Sequence, residues 1–219
     1  MAAGSDDVGG PVGALRRLPR RAVDAVESRF FPEAEGAADH WQRKVMYESV
    51  NAHLDALDVV GLTCVEIAGA NHAGRSWKEF RNLDYPAFDL CAPVVEENRG
   101  AYDVVICEQV LEHVEAPWAA AANLRELCAL GGEVIVSTPF MIRVHELPYF
   151  GLRDYWRFTP RGLRTLLEAG GLEVESVESW GNRECVVGNM RVWSAHRPWH
   201  SLRNEPDIPL QVWAFARRP

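Results

Sequence analysis

Three short runs of β-branched and apolar residues set the frame of this chain: Thr63–Ile67 (TCVEI), Tyr102–Cys107 (YDVVIC) and Glu133–Ser137 (EVIVS). Between the last two lies Pro117–Leu130, rich in Ala and Leu and helical in character. Thr159-Pro160 opens a further helix that runs to Ala169, with Thr159 as N-cap and Pro160 at the first helical position. Gly170-Gly171 stops it. Leu172–Val177 and Leu210–Ala216 read as strands, and Arg81–Tyr85 as a short one. Strands that alternate with helices argue for an α/β fold with a largely parallel sheet.

Upstream, Trp41, Val45, Met46, Val50, Leu54 and Leu57 recur at three- and four-residue spacing over 40–57, which predicts a helix with a core-facing stripe. A shorter helix is expected over Arg20–Phe30, broken near Pro32. Residues 1–11 are rich in Gly, Ala, Ser and Asp and read as disordered. The 219 residues suit one domain with a short extension. We read 1–39 as that extension, partly disordered with a short helix, and 40–219 as the main domain with a loop insertion over 139–158.

Composition narrows the ligand. With 47% hydrophobic and 25% charged residues, the chain has the make-up of a soluble globular protein. A net charge of -8 excludes a global basic field for nucleic acid, so a small molecule is the expected ligand. The basic stretch Arg16–Arg21 reads as a solvated helix start. The five cysteines, Cys64, Cys91, Cys107, Cys128 and Cys185, are odd in number and lack CxxC or Cys/His ligand spacing. That pattern suits a reducing compartment. No early stretch resembles a signal peptide, and no run approaches about 18 apolar residues. The expectation is a cytoplasmic protein, monomer or homodimer, with no membrane partner.

Four segments carry candidate chemistry. Glu66-Ile67-Ala68-Gly69-Ala70-Asn71-His72-Ala73-Gly74 is a strand end running into a glycine-containing turn and, by expectation, a helix. Such a turn lets backbone approach a nucleotide-like ligand, although a ligand-free tight turn reads the same way. Asp84 and Asp89 follow the second strand, where a carboxylate can bind a ribose diol or simply face solvent. Cys107–Val114 (CEQVLEHV) places Glu108 and Gln109 at a strand end facing the ligand crevice of an open sheet. His113 in that segment equally suits a helix end. Pro139–Arg157 gathers Arg143, His145, Tyr149, Tyr155 and Trp156, a mix that suits either a small-molecule pocket or a packed lid.

In order, EIAGANHAG, YDVVICEQVLEHV and GGEVIVSTPF resemble the class I S-adenosylmethionine-dependent methyltransferases, especially the small-molecule type common in bacteria. The resemblance covers roughly 60–180. It implies a Rossmann-like seven-stranded, mostly parallel sheet with flanking helices and the last strand antiparallel. It also implies S-adenosylmethionine as cofactor, with Glu66, Gly69, Asp84 and Gln109 at cofactor-contacting positions and Glu108 beside them. Asp84 is assigned to the ribose and Asp89 to the adenine amino group. Two departures stand out: the turn has fewer glycines than the family pattern, and Gly74 to Tyr102 is short, so the helices flanking the second strand must be abbreviated.

The implied reaction is methyl transfer to a small-molecule acceptor, with the hydroxyl of a natural product or sugar preferred over an amine. His145 is the first choice for general base and His113 the second; Arg143, Tyr149, Tyr155 and Trp156 are assigned to the acceptor pocket. The linear sequence displays no metal-ligand cluster, so no metal is expected. Two other readings share these features: a nicotinamide-dependent oxidoreductase on a Rossmann sheet, and a non-catalytic methyltransferase-like binding protein.

Overall fold

The computed structural model describes residues 20–36, 39–146 and 151–219. The disordered tail expected over 1–11, and most of the basic stretch, lie outside them. Helix α1 spans Arg20–Phe30 as expected. The helix expected over 40–57 opens as a 3-10 turn, Trp41–Arg43, and continues as α2, Lys44–Ala56, with Met46, Val50 and Leu54 buried. Strands β1 (Thr63–Ile67), β2 (Glu79–Leu83), β3 (Tyr102–Glu108) and β4 (Cys128–Pro139) follow, with α3 (Pro117–Leu127) between the last two. Then come α4 (Pro160–Ala169), β5 (Glu173–Trp180), α5 (Arg183–Gly188) and β6 (Gln211–Arg217).

The strands form one sheet in the order β2-β1-β3-β4-β6-β5. The first four are mutually parallel, and β6 runs antiparallel between β4 and β5. The chain thus builds the expected Rossmann-like sheet with its last strand antiparallel, on six strands among the described residues rather than seven. Residues 84–101, between β2 and β3, hold turns and the 3-10 helix Glu96–Asn98 and add no strand to the β2 edge. Pro86 and Pro93 lack amide donors and interrupt a ladder there. No helix follows the turn after β1 either, because the chain turns through Asn71–Arg75 and enters β2 at Glu79.

β1, β3, β6 and the second half of β4 are buried on both faces, which explains why these central strands read as continuous apolar runs. Along β3, Val105 and Cys107 pack toward α3 and α4, while Val104 and Ile106 pack toward α2 and Trp213. On β6, Val212, Ala214 and Ala216 alternate in the same way with Trp213 and Phe215. Each fully buried Val, Leu or Ile contributes roughly 1.5–3 kcal/mol relative to exposure. Among the described residues no helix is long and apolar enough to cross a membrane.

The capping signals at α4 hold in the structure. Thr159 Oγ1 accepts the Gly162 N–H at 3.0 Å, and Pro160 opens the helix. At its other end Gly171 takes a left-handed φ of 85°. Gly170 is right-handed; its requirement is space, since a Cβ there would lie 2.8 Å from the Ala121 carbonyl carbon on α3. We therefore expect Gly170→Ala to force α4 away from α3 and cost about 1–3 kcal/mol. Urea denaturation of the purified variant measures it, and an unchanged midpoint would show that the two helices are not in rigid contact.

Candidate functional site

In an open α/β sheet, ligands sit outside the carboxyl ends of the strands where the connections change direction. Here β1 has β2 on one side and β3 on the other, so that place is the gap between the ends of β1 and β3. Both strand ends carry strain that marks it. Ala68, just after β1, has φ 54°, and Gln109, just after β3, has φ 58°. Left-handed backbone at a non-glycine residue costs on the order of 1–3 kcal/mol and gathers at functional sites.

Glu66 ends up 1% exposed at the end of β1. Its carboxylate accepts the N–H groups of Asn71 at 3.0 Å and His72 at 3.1 Å, and so closes the turn. Burial pushes this carboxyl above the usual range, against those two donors and His72. Gly69 is needed beneath it, because a Cβ there would lie 2.6 Å from Glu66 Oε1. Asn82 of β2 donates to the Gly69 carbonyl and ties the turn to the neighbouring strand. Ala68, Ala70 and Asn71 are exposed residues of the turn.

Across the gap, Glu108 is also buried, and its Oε2 meets His72 Nε2 at 3.2 Å. Its other oxygen, Oε1, is buried without a partner. Nothing in the linear motif marks His72: its backbone N–H bonds Glu66 at the end of β1 while its ring reaches Glu108 at the end of β3, a link visible only in three dimensions. From α2, Tyr47 faces the same gap, and burial, then the Glu108 charge, pushes its phenol up.

The remaining cofactor-assigned residues divide. Asp84 and Asp89 are exposed on the segment after β2. Asp89 Oδ1 accepts its neighbour's amide, Cys91 N, at 2.8 Å, whereas Asp84 engages Phe88 through its backbone carbonyl. Gln109 turns toward β4 and β6, donating to Ser137 Oγ at 3.2 Å and Gln211 Oε1 at 2.8 Å.

A second cluster lies just beyond β3, in the 3-10 turn Leu111–His113. Glu112, to which the sequence reading gave no role, is fully buried, and neither carboxylate oxygen has a hydrogen-bond partner. Burial pushes its carboxyl up to about 8, although Arg43 and Arg157 pull the other way. The loop after β4 brings His145 to it. The His113 and His145 rings meet edge to face with centroids 4.9 Å apart. His145 Nδ1 lies 3.2 Å from Asp154 Oδ2, and burial holds this imidazole below its usual range, opposed by Asp154. Burial works to raise Asp154, but the Arg157 hydrogen bonds and the His145 N–H outweigh it and hold the carboxyl low.

Ligating atoms of Glu112, His113 and His145 lie within 4.8 Å of one another, as do those of Glu66, His72 and Glu108. The linear sequence hid both groups because each joins residues from separate strand ends and loops.

The acceptor-pocket residues serve partly as anchors. Tyr155 Oη donates to Glu115 Oε1 at 2.9 Å, and Trp156 Nε1 donates to the Val114 carbonyl at 2.9 Å. Both backbone N–H groups reach the Glu112 carbonyl, at 2.7 and 3.3 Å. Arg143 stacks its guanidinium over Trp193 at 4.4 Å, and His145 meets the same indole edge-on at 5.4 Å. Tyr149 lies outside the described residues.

Comparison with known proteins gives this geometry a lineage. A family profile described as "Methyltransferase domain" matches residues 23–177. The ubiquinone biosynthesis O-methyltransferase of Burkholderia thailandensis is 33% identical over 110 residues, covering 44% of this chain and 47% of that protein. The chain thus spans about half the length of the curated relative it matches. A chain from the Haloferax volcanii complex of the Trm112 methyltransferase activator superposes with a TM-score of 0.57 at 14% identity, covering 91% of this chain and 97% of that one. Phosphoethanolamine N-methyltransferase 2 of Haemonchus contortus, solved with S-adenosyl-L-methionine, gives 0.53 at 12% identity, covering 79% of this chain and 53% of that one. The cyclase SpnF gives 0.53 at 14%, covering 86% of both chains. Identities this low show the fold alone, and SpnF's name shows that the fold hosts other chemistry. The profile covers well over half of the chain, and on that ground the protein belongs to the class I S-adenosylmethionine-dependent methyltransferases.

Proposed function

We propose that this protein transfers the methyl group of S-adenosylmethionine to a hydroxyl of a small molecule. The observation that carries the reading is the adjacency of two arrangements: an acidic crevice at the ends of β1 and β3, and a histidine–carboxylate cluster immediately after β3. The crevice suits a cofactor with a sulfonium and an ammonium group. Glu108 Oε1 is buried and unpaired, ready to accept from a cationic donor, and the small, exposed residues Ala68 and Ala70 leave room for close approach.

In this reading Asp84 holds the ribose diol. Asp89, already bonded to Cys91 N, is assigned to the adenine side. Bound S-adenosylmethionine supplies a methyl group already activated for displacement, so the protein mainly binds, orients and excludes water. Tyr155 and Trp156 pin the loop that shields the acceptor, and Arg143 and Tyr149 are assigned to the acceptor itself. The hydroxyl proton is taken up at the cluster of Glu112, His113 and His145, with His145 as the first acceptor and the Asp154 carboxylate 3.2 Å from its Nδ1. The O-methyltransferase name of the Burkholderia relative supports a hydroxyl over an amine; the acceptor class we propose is a natural product or sugar.

The His72–Glu108 contact favours one other reading, a methyltransferase-like binding protein, because an internal pair occupies the crevice. The family match leaves the nicotinamide-dependent alternative without support. Calorimetry separates the first two: we expect S-adenosylmethionine and its demethylated product to bind with micromolar dissociation constants. No heat from either ligand on folded protein would leave the binding-protein reading standing.

Gly69→Val should abolish that binding while the circular dichroism spectrum stays native, since its side chain displaces the Glu66 carboxylate from the turn. Normal affinity in a folded variant would mean that the turn is not the cofactor loop. Asp84→Ala should weaken binding by on the order of 1.5–3 kcal/mol, as for hydrogen bonds to charged groups, and more than Asp89→Ala does. The reverse order moves the ribose to Asp89. With a hydroxylated acceptor found by screening, His145→Ala should lower turnover about a hundredfold to ten-thousandfold with cofactor affinity unchanged. An unchanged rate there, with a large loss in His113→Ala, reassigns the role to His113.

A further inference from the structure

We propose that Glu112, His113 and His145 form a binding site for one divalent first-row transition-metal ion, ligated by one carboxylate and two imidazoles. The inference starts from Glu112. A fully buried carboxyl with no hydrogen-bond partner for either oxygen, acted on only from a distance by the Arg43 and Arg157 charges, is a costly arrangement, which natural structures relieve by protonation, by a close charge partner or by an ion. The nearest prospective partner is His113 Nε2, 3.8 Å from Glu112 Oε1, beyond hydrogen-bond reach but with the spacing of two atoms that share an ion.

The two histidines are prepared as ligands. The Arg153 carbonyl lies 2.5 Å from His113 Nδ1 and can only accept, which fixes Nδ1 as the donor and turns Nε2 toward Glu112. Metal-bound histidines almost always show such a backing acceptor. His145 has Asp154 beside its Nδ1 at 3.2 Å, and Asp154 is held by Arg157 Nη2 at 2.6 Å and by the His145 backbone N–H at 2.8 Å. His145 Nδ1 is buried without a hydrogen-bond partner, so the ring is not committed elsewhere and can turn a nitrogen to an ion. One ring nitrogen of each histidine and one Glu112 oxygen all lie within 4.8 Å of one another.

The other convergent group, Glu66, His72 and Glu108, is spoken for. Glu66 uses both oxygens on backbone N–H groups, and His72 pairs with Glu108. Donor chemistry then selects the ion: mixed imidazole and carboxylate ligands suit zinc, iron(II), manganese, cobalt or nickel, whereas calcium and magnesium favour all-oxygen shells. Three protein ligands leave coordination positions open. With the ion bound, His145 is a ligand and not the proton acceptor named above; that an acceptor hydroxyl fills an open position is the part that rests on the function proposed above, and ion binding itself does not.

The test uses the full chain, stripped with a chelator and dialysed. Cobalt(II) is added with visible absorption as readout, and zinc(II) by calorimetry and thermal denaturation. We expect one ion per chain, cobalt absorption bands that zinc displaces, and a melting temperature raised by about 5 °C at zinc well above its dissociation constant. Glu112→Gln keeps the side-chain volume, and His145→Ala removes a half-buried ring; each should weaken cobalt binding at least tenfold in a variant with native circular dichroism. His72→Ala should leave it unchanged. No cobalt bands and no zinc heat on the folded parent protein overturn the proposal. Loss in His72→Ala with retention in His145→Ala also overturns it, by moving the ion to the other cluster. Methyl transfer separates the two readings: full turnover by the metal-free protein, together with silent metal titrations, removes the ion and leaves the methyltransferase reading intact. Stoichiometric ion binding without S-adenosylmethionine binding does the opposite.

Discussion

The gap between the ends of β1 and β3 is the constraint on which the rest of the site depends. The chain leaves β1 for one flank of the sheet and returns to the other, so no connection covers the two ends where they part. What holds their shape is the sheet itself. The Ala68 N–H donates to the Leu83 carbonyl at 2.9 Å, and the Gln109 N–H to the Ser137 carbonyl at 2.9 Å. The two left-handed residues are therefore supported by the strands next to them, β2 and β4. A slip in either register would release the strain and the turn geometry together.

A second dependence runs through Glu112. Its backbone carbonyl receives the N–H groups of Tyr155 and Trp156, so the loop after β4 is pinned to the turn after β3. Asp154 and Arg157 lock the same loop from within. The side chain of Glu112 is enclosed as a consequence, with His113 on one side and His145 delivered by the loop. The fold thus places a carboxylate where solvent cannot reach it, beside two imidazoles, and the chemistry of the site follows from that enclosure.

Much of the frame was legible before any coordinates. Thr63–Ile67 matches β1 residue for residue, and the Thr159 cap with Pro160 marks the start of α4, because caps and short apolar runs are local signals. The helix expected after the β1 turn is absent, since the turn closes on the Glu66 carboxylate and feeds β2 directly. The strand expected at Arg81–Tyr85 lies instead at Glu79–Leu83, where its register is dictated by β1. The short Asn-capped helix α5 was not anticipated, although Asn182 accepts the Cys185 N–H at 2.8 Å as a cap should.

By itself, the sequence determined the α/β class, the antiparallel final strand through a family resemblance, and the position of Glu66 and Gly69 at a strand end. These follow from periodicity and from motifs whose parts are close along the chain. Only the tertiary structure decided which polar groups lose their water. Glu112 reads as an ordinary acidic residue in LEHV until Tyr155, Trp156 and His145 close on its turn. His72 reads as part of a turn until its ring reaches Glu108. Burial and pairing across distant segments depend on how layers pack, and no local pattern of side chains encodes the distance between a strand end and a loop that returns to it.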